Sequence, residues 1–187
     1  LAGPGNNGGD AFEVAVHLKS ANHRVALVFT GTPEGLPSDA ATALAKWRDT
    51  GGELFIEAPR GPWDLVIDGL YGIGLSRPLA GRDAALVETV NASGSPILAL
   101  DIASGIAGDT GGLTGIAIRA TETITFIALK PGLLTLDGPD YCGRIQCDAL
   151  GLNVQALAPA NGHYGRFLVG PALDDQPAPR PRNFHKG

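Results

Sequence analysis

The chain has 187 residues, 44% of them apolar and 18% charged, with 27 glycines, 14 prolines and a formal net charge of -5. That balance supplies enough apolar surface for the core of one ordinary domain and excludes both a collagen-like repeat and disorder throughout. An acidic pI near 5.2 removes the broad basic footprint of nucleic-acid binding, and no apolar run approaches the roughly 18 residues that cross a bilayer.

No nucleic-acid or membrane partner is therefore expected, and a soluble, cytoplasmic setting is. The sequence contains no methionine, so it is expected to be a segment of a longer chain. Cys142 and Cys147 form a C-x4-C pair with no second pair, and the histidines stand singly, which argues against zinc. Both thiols suit a reducing compartment, and Cys147 is expected at a buried strand position.

In chain order, Leu1 to Gly5 reads as the end of a strand entering a glycine loop. Residues 10–21 place Phe12, Ala15 and Val16 on one side of an amphipathic helix. A buried strand is expected over 24–29, a helix from 37 through Trp47 that Gly51-Gly52 stops, a short strand over 53–57 and a stronger one over 64–70. A helix over 83–92 follows, then buried strands over 95–102 and 122–129 and an alternating edge strand over 143–150. Strand and helix alternate, which predicts a Rossmann-like three-layer α/β fold with a mostly parallel sheet and helices on both faces. Residues 1–173 form one domain in this reading, and the proline-rich stretch 174–187 is a poorly packed linker into a further domain.

Ligands of such sheets sit beyond the carboxyl ends of the strands, so four loops matter. The first, Gly3-Pro4-Gly5-Asn6-Asn7-Gly8, fits G-x-G-x-x-G at a helix start, where backbone N–H groups hold phosphate. No carboxylate ends the next strand at Phe29-Thr30-Gly31, which weighs against an ordinary NAD-dependent dehydrogenase. A tight turn is the bland alternative, and the oxygens of Asn6, Asn7 and Asp10 are also suited to a cation or a sugar.

Asp68 ends an apolar strand and leads into Gly72, Gly74, Ser76 and Arg77, a candidate anion loop unless Arg77 is simply solvated. Asp101 ends the next apolar strand, and Ser104 can turn back into the same place; an Asp capping a turn is the plainer reading. Lys130, after the run 124–129, meets a phosphate, shares a proton with Asp101, or snorkels to solvent. An aspartate at a buried strand end needs a partner because an isolated buried charge is costly. Asp109-Thr110-Gly111-Gly112 reads as a turn, and Trp63, His163 and Tyr164 as structural.

Together the pieces Ala2 to Asp10, Asp68 to Leu75, Asp101 to Gly105, Thr125-Phe126 and Lys130 to Leu133 resemble the YjeF N-terminal domain family, the NAD(P)H-hydrate epimerases. The resemblance implies epimerisation of the R and S forms of hydrated NADH or NADPH (NADHX, NADPHX), with the nucleotide as substrate and no redox cofactor. It further implies that Asn6, Asn7, Gly8, Gly9, Asp10, Gly72, Ile73, Gly74, Leu75, Ser76, Arg77, Pro78 and Asp101 contact the nucleotide. Asn7, Asp68 and Ser104 would ligate one potassium ion per subunit, oxygen ligands that suit a hard cation. Asp101 and Lys130 are the catalytic candidates, with acid and base unassigned between them. A homo-oligomer is implied, and Asn183 to Gly187 resembles the start of a dehydratase domain, as in a bifunctional repair protein. Ala11 and Ala103 depart from the family's usual glycine and proline, which is expected to narrow the pocket and loosen a turn. The rival reading is a non-catalytic scaffold module of the same domain type.

Overall fold

The computed structural model describes residues 1–153. Its elements are α1 (Asn6–Ser20), β1 (Leu27–Val28), α2 (Ser38–Asp49), β2 (Leu54–Phe55), β3 (Val66–Asp68), α3 (Gly81–Ala92), β4 (Ile97–Leu100), β5 (Glu122–Phe126), α4 (Gly138–Tyr141) and β6 (Arg144–Asp148). Every strand pairing is parallel: β1 with β2, and β3-β4-β5-β6 in that order. Ala2 joins the two groups by bridging Phe29 on one side and Gly69 on the other, so the opening residues run through the middle of one sheet. Its N–H donates to Val28 O at 2.8 Å, and Gly69 N donates to Leu1 O at 2.9 Å.

Period-two alternation assigns each strand's side chains to two cores. Leu27, Phe29 and Leu100 join Phe12, Ala15, Ala43, Leu44 and Trp47 under α1 and α2. Val28, Val66, Ile97 and Ala99 face the other way, onto Leu86, Val87 and Val90 of α3. Helices therefore cover both faces of a parallel sheet, as the alternation predicted.

The differences are local. The helix expected from residue 10 begins at Asn6, so Asn6 to Asp10 form its first turns and not a loop. Glycine disfavours a helix by propensity, yet close approach requires it here. A Cβ on Gly8 would stand 1.9 Å from Gly3 O, and one on Gly3 would stand 1.6 Å from Leu70 O. The strand expected over 122–129 stops at Phe126, where Ile127 turns at φ 70°. Cys147 is exposed, whereas Cys142 is the buried thiol. Ile145 reaches the core but Cys147, two residues further along the edge strand, lies beyond it. The methyl of Ala11 is buried toward Gly69, where a Cβ would meet it at 2.6 Å, so it fills the space under the sheet crossing instead of narrowing a loop pocket. The linker 174–187 and residues His163 and Tyr164 lie outside the described residues.

Candidate functional site

Two aspartates mark the carboxyl ends of neighbouring strands. Asp68, the last residue of β3, has no exposed surface. Its Oδ1 accepts from Leu70 N at 3.2 Å and Ser104 Oγ at 2.7 Å, and its Oδ2 accepts from Ser104 N at 2.9 Å. Burial pushes this carboxyl up, and the bonds from Ser104 and Leu70 pull it back. Ser104, also buried, accepts from Tyr71 N at 2.9 Å and has Tyr71 O at 3.0 Å as a second acceptor.

Asn7 comes to the same place from the first turn of α1. Its Nδ2 donates to Leu100 O at 3.2 Å, while its Oδ1 is buried and accepts no hydrogen bond. A Cβ on Gly69 would lie 2.8 Å from Asn7 O, and one on Gly72 would lie 3.5 Å from the Asn7 side chain, so Asn7 flanks the turn that leaves Asp68. An orphaned carbonyl oxygen, a buried carboxylate with lone pairs to spare and a hydroxyl form an oxygen donor set. Such a set fits a hard cation of low charge, and an unpartnered buried acceptor is costly without one.

Asp101 follows β4 at φ 69°, with Ile102 N donating back to Leu100 O at 2.9 Å. Ile127 repeats the pattern after β5, with Ala128 N donating to Phe126 O at 2.8 Å. Both strands thus end in a tight turn whose central residue has positive φ, a rare and strained form that concentrates at functional sites. The second turn reverses the chain so that Lys130 points back over β5. Its ammonium donates to Thr125 Oγ1 and Phe126 O, each at 2.8 Å, and lies 2.5 Å from Asp101 Oδ1. The two side chains are 17% and 15% exposed, so the pair is sheltered yet open on one side. Asp101 Oδ2 accepts from Ile73 N at 3.3 Å.

The remaining site candidates line this end. Asn6 and Asp10 are exposed on the first turns of α1, and Gly8 and Gly9 are buried beneath them. The Asp10 carboxyl is pushed up by burial, then by the charges of Asp101 and Glu13. In the loop after β3, Gly72 lies against Asp101 Oδ2 and Asn7, Leu75 is half-buried, and Ile73, Gly74, Ser76, Arg77 and Pro78 are exposed. Tyr71 donates to Asp83 Oδ2 at 2.5 Å; burial and that bond push its hydroxyl up to about 12. Among the described residues no group of three His, Cys, Asp or Glu could hold a metal.

Thr125 and Phe126, matched above only as a family piece, hold the Lys130 ammonium, and Ile73, expected as a nucleotide contact, also donates its amide to Asp101; sequence reasoning assigns none of the three a role toward this pair. The alternation of Thr123 and Thr125 along β5 is a visible signal for the first of them. A cavity of about 680 Å³ lies elsewhere, at the amino ends of the strands between Val14, Leu18, Val25, Trp63 and Val90. Its lining includes His23, Arg24, Arg60 and Asp64 but none of Asn7, Asp68, Asp101, Ser104 and Lys130, so the convergent chemistry and not this cavity locates the site.

The described geometry agrees with what the chain resembles among known proteins. A family model described as "YjeF-related protein N-terminus" matches residues 1–132. The NAD(P)H-hydrate epimerase of Achromobacter xylosoxidans (strain A8) is 48% identical over 165 residues, covering 86% of this chain and 77% of that one. The bifunctional NAD(P)H-hydrate repair enzyme Nnr of Escherichia coli (strain K12) is 39% identical over 191 residues, covering 100% of this chain and 36% of that protein. The crystal structure of yeast ynu0 shares the fold, at a TM-score of 0.59 and 20% identity over 70% of this chain and 58% of that one. On the extent of the model match and the identity to these relatives, the chain belongs to the YjeF-related N-terminal domain family.

Proposed function

We propose that this chain is an NAD(P)H-hydrate epimerase that interconverts the R and S forms of hydrated NADH or NADPH. The observation that carries the mechanism is the 2.5 Å pair between Lys130 Nζ and Asp101 Oδ1 at the carboxyl edge of the sheet. The reacting ring carbon bears a hydroxyl and the ring nitrogen. Protonating the hydroxyl lets the nitrogen lone pair expel water, which leaves a planar iminium, and water returns to the opposite face. No hydride moves.

Two of the three ammonium protons of Lys130 are engaged by Thr125 and Phe126, so its exchange with substrate runs through Asp101. The pair passes one proton to the departing hydroxyl and recovers it from the water that adds, and the Asp101 carboxylate stabilises the cationic intermediate. The free N–H groups of the first turn of α1, over Asn6 to Gly8, hold the nucleotide phosphates, and Gly72 to Pro78 form the facing wall. Asn7, Asp68 and Ser104 would hold potassium, whose charge offsets the buried Asp68 carboxylate. A non-catalytic scaffold has no need of a sheltered Asp–Lys pair set behind two strained turns.

The bifunctional relative supports a linked dehydratase domain that acts on the same nucleotide, and a cytoplasmic homo-oligomer completes the proposed reading. Incubating the pure R hydrate with the protein and following the S hydrate by chromatography tests the activity. Conversion at the uncatalysed rate overturns it.

A further inference from the structure

We propose that Gly108 is a positioning residue for the Asp101–Lys130 pair, acting through a closed ring of contacts across the three loops that follow β3, β4 and β5. The proposal rests on the epimerase reading for its kinetic effect, though the ring itself is a structural claim.

The ring begins at Asp101, whose Oδ2 accepts from Ile73 N at 3.3 Å. The Ile73 side chain rests on Gly108: a Cβ there would stand 2.9 Å from Ile73 Cγ2 and 3.0 Å from its Cβ. Gly108 O accepts from Gly132 N at 2.7 Å. Gly132 lies two residues after Lys130, and Lys130 Nζ returns to Asp101 Oδ1 at 2.5 Å. Each oxygen of the reacting carboxylate is therefore fixed by a different loop, and both loops lean on one glycine.

Gly108 is not among the residues of positive φ, so the position needs the missing Cβ and not backbone freedom. Ile73 is 57% exposed, so few other neighbours hold its side chain. Gly132 is equally constrained, since a Cβ on it would meet Ala107 O at 2.2 Å and Gly108 O at 2.6 Å. A methyl on Gly108 displaces Ile73 and draws its N–H away from Asp101, while the phosphate-binding turn of α1 lies outside the ring.

The test is a double-mutant cycle over the parent, Gly108→Ala, Ile73→Ala and the double variant, with kcat and KM measured for each. Misalignment of reacting groups is costly, so Gly108→Ala should lower kcat about tenfold in the parent background with a smaller change in KM. In the Ile73→Ala background, where the nearest atom is gone, the same substitution should change kcat by less than about twofold. Equal losses in both backgrounds, or no loss in either, overturn the ring.

Amide hydrogen exchange keeps this separate from the epimerase reading. If the parent shows no epimerisation the functional reading fails, but Gly108→Ala must still accelerate exchange of the Ile73 amide by about tenfold. Should Gly108→Ala not fold, Ile73→Ala alone must accelerate exchange at residue 73. Unchanged exchange there overturns the ring.

Discussion

The ends of β3 and β4 carry the same residue type in neighbouring parallel strands and put it to opposite use. Asp68 is fully buried, takes three hydrogen bonds from Ser104 and Leu70, and forms no ion pair with lysine or arginine among the described residues. Asp101 is partly open, sits at φ 69° and faces an ammonium at 2.5 Å. The loops decide the difference. Ser104 folds back under β3, whereas the strained turn at Ile127 brings Lys130 over β5 toward Asp101. A buried carboxylate that no lysine or arginine pairs with invites a cation, and a paired one that stays partly exposed invites a substrate.

The sharpest way to break the comparison is Asp101→Asn. It keeps the shape and removes the proton chemistry, and a positioned acid or base contributes about 10²- to 10⁴-fold. Epimerisation should fall at least about a hundredfold while thermal unfolding stays near that of the parent. Interconversion within about threefold of the parent would make Asp101 a turn residue. Lys130→Met comes next. It leaves the carboxylate without its countercharge, and a loss in kcat of roughly tenfold is expected, smaller than the loss on removing the positioned acid or base itself. An unchanged kcat would mean that Lys130 does not hold the reacting carboxylate.

Both strand ends were legible in the sequence because a charge closing an apolar run is expensive and must be answered nearby. The partners were less so. The apolar run continues through Ile127 to Leu129, so nothing local marks Phe126 as the last strand residue; the neighbouring edge does, with Ile127 N donating to Asp148 O at 2.6 Å. The exposure of Cys147 depends likewise on where the core ends beneath β6. The start of α1 was hidden for a different reason, since Gly8 and Gly9 lower helix propensity and only the approach of Gly3 to the first and of Ala40 to the second explains them. The two-core arrangement followed from periodicity, which is written along the chain.

Ser104→Ala sharpens the other half of the comparison. The hydroxyl bonds Asp68 Oδ1 and Tyr71 N, and removing one partner of a buried polar pair costs about 1–3 kcal/mol. The melting temperature should drop, and stabilisation by potassium over a large organic cation at equal ionic strength should shrink with it. If the parent itself melts identically in the two cations, Asn7, Asp68 and Ser104 do not form a cation site.

The smallest effect expected belongs to Asp10, which faces the same end of the sheet from α1. Its carboxyl is pushed up by burial first and then by Asp101 and Glu13, so the folded protein holds this proton more tightly than the unfolded chain does. Stability from that source is fully present below the ordinary carboxylate range and is lost as the pH rises through the raised folded value. Asparagine carries no charge at either pH and escapes the loss. Asp10→Asn should therefore raise the melting temperature relative to the parent at pH 7 more than at pH 4, by a margin that solvent screening keeps small. The same difference should contract in Asp101→Asn, because the charge that opposes ionisation of Asp10 has been removed. Melting curves of the four proteins at the two pH values decide it. A pH-independent difference would show that Asp10 ionises freely, and that the two carboxylates do not sense one another across the mouth of the site.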